Sequence, residues 1–130
     1  MANGPVSILI RVRPAAVKVF DPVVLTRAAL ERVLRAVGSD VVVGLLRVDR
    51  NSVPRWRAGG RIAQPESDRI LDLDSLLTRA LQVFHADGAG EWLSSPSPFL
   101  HGSRPVDALF ECGLGPVLTA LAAVLEGVFA

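Results

Sequence analysis

Few side chains in this sequence are equipped for covalent or metal chemistry. His85 and His101 are the only histidines, and Cys112 is the only thiol. A Cys112–His101 pair would supply a nucleophile and a base if the fold brought the two together. A lone cysteine near a helix end is instead expected to be a buried small hydrophobe. His85, near the end of a long helix, is expected to cap carbonyls. Asp68, Asp72 and Asp74 cluster, and the first two share a helical face. Without a histidine beside them they read as a solvated surface rather than a metal site. Gly59-Gly60 lacks the flanking pattern of a phosphate-cradling loop. One cysteine excludes an intramolecular disulfide framework and a multi-cysteine zinc site. The sequence therefore predicts no enzyme, and no metal or cofactor of its own.

Charge is the richer signal. Thirteen of the 14 basic residues are arginine, the side chain suited to bidentate recognition of phosphate and carboxylate. Arg47, Arg50, Arg55, Arg57 and Arg61 place five positive charges within 15 residues, against Asp49. The near-neutral total of +1 hides an asymmetry: residues 1–86 carry 13 bases and 8 acids, whereas residues 87–130 carry one base and five acids. The first half suits an anion such as DNA, and the second a basic partner.

The elements that must position these charges read almost entirely as helix. The chain has 130 residues, half of them hydrophobic, which suits one domain or two small subdomains sharing a core. Val6–Val12 carries a weak alternating strand pattern that Pro14 ends, and residues 1–20 are expected to form a loose arm or an intermolecular contact. Asp21-Pro22 reads as a cap and first helical residue for a helix over 23–37, stopped by Gly38. Short helices are expected over 41–46, despite the β-branched run Val41–Val43, and from Asn51 or Ser52 through Ala58. A long amphipathic helix is expected over 66–85, with Ile70, Leu73, Leu77, Ala80, Leu81 and Phe84 on one stripe. Asp87-Gly88-Ala89-Gly90 reads as a break and a subdomain boundary. Beyond it come a short helix over 91–95, a proline-rich loop, a helix over 105–112, a last helix over 116–126, and an apolar tail of residues 127–130. The apolar stretch Leu114–Leu125 is 12 residues long and contains Gly115 and Pro116, too short to cross a bilayer. Arg11 interrupts the apolar run near the start, and no basic region precedes it, so no signal peptide is read. A cytoplasmic protein is expected.

Residues 41–65 have helix-turn-helix layout. Val53, Trp56, Gly59 and Pro65 stand where phage-repressor-like proteins of this type place a buried branched residue, a tryptophan, a helix-ending glycine and a proline. Val53 and Trp56 would pin the second helix, leaving Ser52, Arg55 and Arg57 to project outward. With Arg61 they form the candidate DNA-contacting set, the arginines on phosphates and Ser52 or Arg55 near base edges. Pro54 is tolerable only in the first turn of that helix.

The acidic half reads Glu91-Trp92-Leu93, Pro96, Leu100, Gly102, Pro105, Leu109, Gly113, Val117, Leu121 and Glu126-Gly127. In this order the residues resemble the toxin-binding domain of the Xre/MbcA/ParS family of bacterial antitoxins, partners of RES-domain toxins. The resemblance covers about Glu91 to the end, and the degenerate helix-turn-helix extends it back to about Val23. It implies an all-α antitoxin with an arm (1–20), a repressor-like helix-turn-helix domain (21–86) and a toxin-binding domain (87–130). It also implies a cognate toxin that consumes or uses NAD, whose NAD pocket is covered by the antitoxin's C-terminal helices and tail. Operator DNA is a further implied partner, and a homodimer or a hetero-oligomer with toxin the implied assembly.

The residues make physical sense of that role. A pocket that binds pyrophosphate is basic, so an acidic plug complements it. Glu111, Glu126 and the carboxylate of Ala130 would pair with its arginines. Gly127, Val128 and Phe129 complete the candidate toxin-binding set, the last two as apolar anchors. Trp92, Phe99, Leu100, Leu109, Val117, Leu118, Leu121 and Leu125 are expected in the core of the small domain. The rival reading is a stand-alone helix-turn-helix repressor.

Overall fold

The computed structural model describes residues 22–129, with side chains through Gly127. The strand-like segment 6–12, the Asp21 cap and Ala130 lie outside the described residues. Seven α-helices and one 3-10 turn follow in order: α1 Pro22–Val37, α2 Ser39–Leu46, α3 Ser52–Arg57, α4 Gln64–Ala80, α5 Ala86–Ser94, the 3-10 turn Pro98–Leu100, α6 Pro105–Cys112 and α7 Leu114–Phe129. No strand occurs among the described residues, and the fold class is all-α.

Helix α1 buries Thr26, Ala29, Leu30 and Val33, a stripe at three- and four-residue spacing. It ends at Gly38, whose φ of +88° a side chain would oppose. The valine run of α2 is held by burial: Val42, Leu45 and Leu46 are all inside. The helix closes on Arg47 in the left-handed region, its backbone N–H on the Val43 carbonyl. Asp49 then turns the chain by accepting from the Asn51 N–H at 2.9 Å. Pro54 is the third residue of α3, where its missing N–H is one of the unpaired donors of the first turn.

Several helix boundaries differ from the sequence expectation. Helix α4 ends at Ala80 rather than His85, and residues 81–84 turn back, with the Phe84 N–H on the Ala80 carbonyl at 2.8 Å. His85 therefore precedes α5 and does not end the long helix. The expected break at residues 87–90 is itself helical. Its glycines face neighbours at ordinary contact distance: a Cβ on Gly90 would lie 3.5 Å from Val41, and one on Gly88 3.5 Å from Phe84. Helix α5 packs on α2 at Val41, while Phe84 stacks at a tilt on Trp92 with ring centres 5.8 Å apart. At the end of the chain α7 runs through Phe129, so the expected tail from residue 127 is the last turn of a helix.

One buried cluster draws on every helix, including Leu30, Leu45, Trp56, Leu73, Leu93, Leu109 and Val117. Helices α1 and α4 form its central pair, α7 packs on α6, α4 and the 3-10 turn, and α5 reaches α1, α2 and α6. The basic and acidic halves thus share a core. No described helix is long and apolar enough to cross a membrane.

Candidate functional site

The acidic half presents its charges outward. Glu91, Glu111 and Glu126 are exposed, as is Gly127. Leu100, Leu109, Val117 and Leu121 are buried as expected, and Trp92 and Leu118 are half-buried against the core. Phe99 and Leu125 are not core residues: Phe99 is 55% exposed and Leu125 38%. The reason is local. In the 3-10 turn Leu100 takes the inward position, and Ser97 caps the turn by accepting the Phe99 N–H on its hydroxyl. His101 and Gly102 then adopt positive φ, and the Gly102 N–H returns to the Ser97 carbonyl at 2.9 Å. This tight loop fixes Phe99 in solvent. Cys112 is also exposed, contrary to expectation, because it is the final residue of α6 before Gly113 turns the chain at φ +89°.

The basic half is more selective than its arginine count implies. Val53 and Trp56 are buried, as expected. Ser52 is not an outward residue: it is only 8% exposed and shares the inward face of α3 with Val53 and Trp56. Arg57 is already engaged, its Nε and Nη2 donating to the two Glu31 oxygens at 3.0 Å each. Arg55 and Arg61 are exposed and form no ion pair among the described residues. With Arg47 they surround a recess of about 310 Å³ that also contains Ser52, Trp56, Asp49 and Glu66. Glu66 Oε2 is buried there without a hydrogen-bond partner.

Two arrangements escaped sequence reasoning. Arg27 donates to the Trp56 and Gly60 carbonyls, so α1 holds the end of α3 and the glycine turn after it. Asp107 accepts from Arg104 at 2.7 and 2.8 Å and from Arg47 at 3.0 Å. The Arg104–Asp107 spacing of three was a readable signal; Arg47, 60 residues away, was not. The aspartates of α4 do not converge. Asp74 turns to Arg32 of α1, Asp68 accepts from Gln64, and Asp72 is pushed up by partial burial and then by the charge of Asp68. No group of three metal-ligating side chains occurs among the described residues.

Three comparisons bear on this arrangement. No family model matches the chain. The chain is 32% identical over 79 residues to the mycobacterial cidal antitoxin MbcA of Mycobacterium bovis, across 60% of this chain and 70% of that protein. The chain belongs to the MbcA antitoxin family. A probable mycobacterial cidal antitoxin of Mycobacterium tuberculosis is 28% identical over 88 residues, across 68% of this chain and 76% of its own length. The crystal structure of the M. tuberculosis MbcT–MbcA toxin–antitoxin complex contains a chain that superposes with a TM-score of 0.62 at 25% identity. The superposition covers 79% of this chain and 96% of that one. Of the residues the sequence singled out, the structure leaves Arg55, Arg61, Glu111, Glu126 and Gly127 exposed. It turns Ser52 inward and pairs Arg57. The side chains of Val128 and Phe129, and all of Ala130, lie outside the described residues.

Proposed function

We propose that this chain is the antitoxin of a type II toxin–antitoxin system and neutralises a cognate RES-domain toxin that consumes NAD. The toxin-binding element is α7 with residues 126–130, laid over the toxin's NAD pocket, and Glu111 supports it from the end of α6. The observation that carries this reading is the exposed end of α7, where Leu125, Glu126 and Gly127 all face solvent. A pyrophosphate-binding pocket is positively charged, and a partner with a net charge of −4 across its last 44 residues is attracted to it. The mechanism is occlusion: apolar contacts anchor the helix, and carboxylates pair with the arginines that otherwise hold the cofactor. No catalytic group of the antitoxin takes part. The setting is the cytoplasm, where NAD is the toxin's substrate.

The test is a chain lacking residues 126–130, co-expressed with the adjacent toxin. Only the last turn of α7 is removed, so the helical body is expected to remain folded by circular dichroism. Protection of cells is expected to disappear. Full protection by the shortened chain overturns the occlusion mechanism.

A second activity has its own support. Arg55 on α3 and Arg61 after it are exposed and lack ion pairs among the described residues, and α2 and α3 form two short helices joined by a turn. We infer that this face binds operator DNA, so that the antitoxin represses its own operon, as a homodimer or within the toxin complex. The alternative of a stand-alone repressor keeps the DNA binding and lacks the toxin: the purified chain would then bind its promoter and show no affinity for the neighbouring gene product.

A further inference from the structure

A groove of about 410 Å³ lies where α5 crosses the end of α1 and the outer face of α2. Its apolar lining includes Ala36, Val37, Val41, Gly44 and Gly90. Val41 is one of the exposed large hydrophobics of the fold. A Cβ built on Gly44 would meet nothing within 4 Å, so the glycine opens onto free space. Three exposed carboxylates, Asp40, Asp87 and Glu91, line the same groove. None of them forms an ion pair among the described residues. The one cation lining it, Arg104, gives both Nε and Nη2 to Asp107. The groove is thus apolar beneath and negatively charged at the edge, which calls for an apolar segment bearing positive charge.

We propose that its occupant is residues 6–13 of the same chain. This segment lies outside the described residues, and its sequence fits. Val6, Ile8, Leu9, Ile10 and Val12 are apolar, Arg11 and Arg13 are basic, and no acid precedes Asp21. The reach also fits. At a rise of 1.5 Å per residue, the 16 residues of α1 separate Pro22 from the groove by about 23 Å. The nine residue steps from Arg13 to Pro22 span up to about 30 Å when extended. The covalent tether makes the effective concentration of the segment about millimolar, so weak contacts suffice. Arg11 and Arg13 are then set against Asp40, Asp87 and Glu91, and the aliphatic side chains cover Val41 and fill the space beside Gly44.

The experiment is limited trypsin digestion of the full chain, comparing the parent with Gly44→Leu. The Cβ of a leucine at 44 meets nothing within 4 Å, and leucine favours helix over glycine and extends into the groove. The folded state is verified by an unchanged or raised melting temperature. Cleavage after Arg11 is expected to be at least tenfold faster in Gly44→Leu, and parental protection is expected to be independent of protein concentration. A combined Asp40→Asn, Asp87→Asn, Glu91→Gln chain is expected to lose the same protection. Equal cleavage of parent and Gly44→Leu overturns the proposal. Protection that fades on dilution also overturns it, by placing a second copy's segment in the groove. Gly44→Leu is expected to neutralise the toxin normally, so the result separates from the proposed function. Loss of toxin binding without a change in digestion overturns the proposal by giving the groove to the toxin.

Discussion

Asp107 and Arg47 meet at 3.0 Å, and the contact joins the turn after α2 to the first turn of α6. Arg104 grips the same carboxylate with two further hydrogen bonds, and this grip, followed by the charge of Arg47, holds the Asp107 carboxyl below the usual carboxylate range. One acid thus links the basic half to the acidic half across 60 residues of sequence.

Asp107→Asn is expected to lower folding stability at neutral pH by about 1 kcal/mol, the scale of partly exposed charge-assisted hydrogen bonds. The sign of the pH effect follows from the lowered value. Stabilisation by the charged form is complete above the unfolded carboxylate pKa of about 3.9. It declines as the pH falls below that and is lost once the pH passes the folded value. Urea denaturation of parent and variant is expected to show a gap at pH 7 that narrows in acid. A gap of the same size at pH 7 and pH 2.5 would show that the charge does not contribute.

Thr26 and Ser67 share a buried hydroxyl hydrogen bond of 2.6 Å between α1 and α4, the central helix pair. Removing one hydroxyl strands the other away from water. Thr26→Val and Ser67→Ala are each expected to cost about 1–2 kcal/mol. Made together they leave no stranded group, and the double variant is expected to cost less than the sum by about 1 kcal/mol. A double-mutant cycle by chemical denaturation decides the matter, since strictly additive costs would mean that the hydroxyls act independently.

Much of the fold was legible because its punctuation is chemical. Pro22 and Pro105 start helices, Gly38 and Gly113 stop them, and α6 has the expected limits. The misread stretch, 81–90, shows what local pattern lacks. Leu81 and Phe84 continue the amphipathic stripe of α4, yet the chain turns there so that Phe84 can meet Trp92. Gly88 and Gly90 look like breakers from neighbours in sequence, yet both sit inside α5, beside Phe84 and Val41. The site was legible in its charge division and less so in the fate of single residues. Ser52 turned inward because α3 is short and its first residue faces the core. Arg57 found Glu31, 26 positions earlier in the sequence. Such pairings depend on how helices cross, which no spacing along one helix records.

Phe99 is held in solvent by a turn that its neighbours close, and a large aromatic fixed in that way is pre-organised to anchor a partner. The 3-10 turn packs against α7, the proposed toxin-binding helix. Phe99→Ala is therefore expected to leave folding stability within about 0.5 kcal/mol of the parent and to weaken toxin binding by about tenfold or more. Calorimetry with the cognate toxin, alongside a thermal melt, separates the two effects. A large drop in melting temperature would return Phe99 to a structural role, and unchanged affinity would remove it from the interface.

Arg55 and Arg57 lie two apart on α3 and differ in what they can offer DNA. Arg57 is neutralised by Glu31 through two hydrogen bonds, whereas Arg55 has no ion pair among the described residues. Each phosphate contact made by a free arginine releases about one counterion, so its loss flattens the dependence of log affinity on log salt by about one unit. Arg55→Ala is expected to show that change on promoter DNA and Arg57→Ala a smaller one, because Arg57 must first leave its carboxylate. Both variants are expected to neutralise the toxin, since neither residue belongs to α7. Binding isotherms at several salt concentrations test the first statement and cell protection the second. Equal slopes for both variants would place Arg57 on DNA despite Glu31, and loss of protection would move the basic face into the toxin interface.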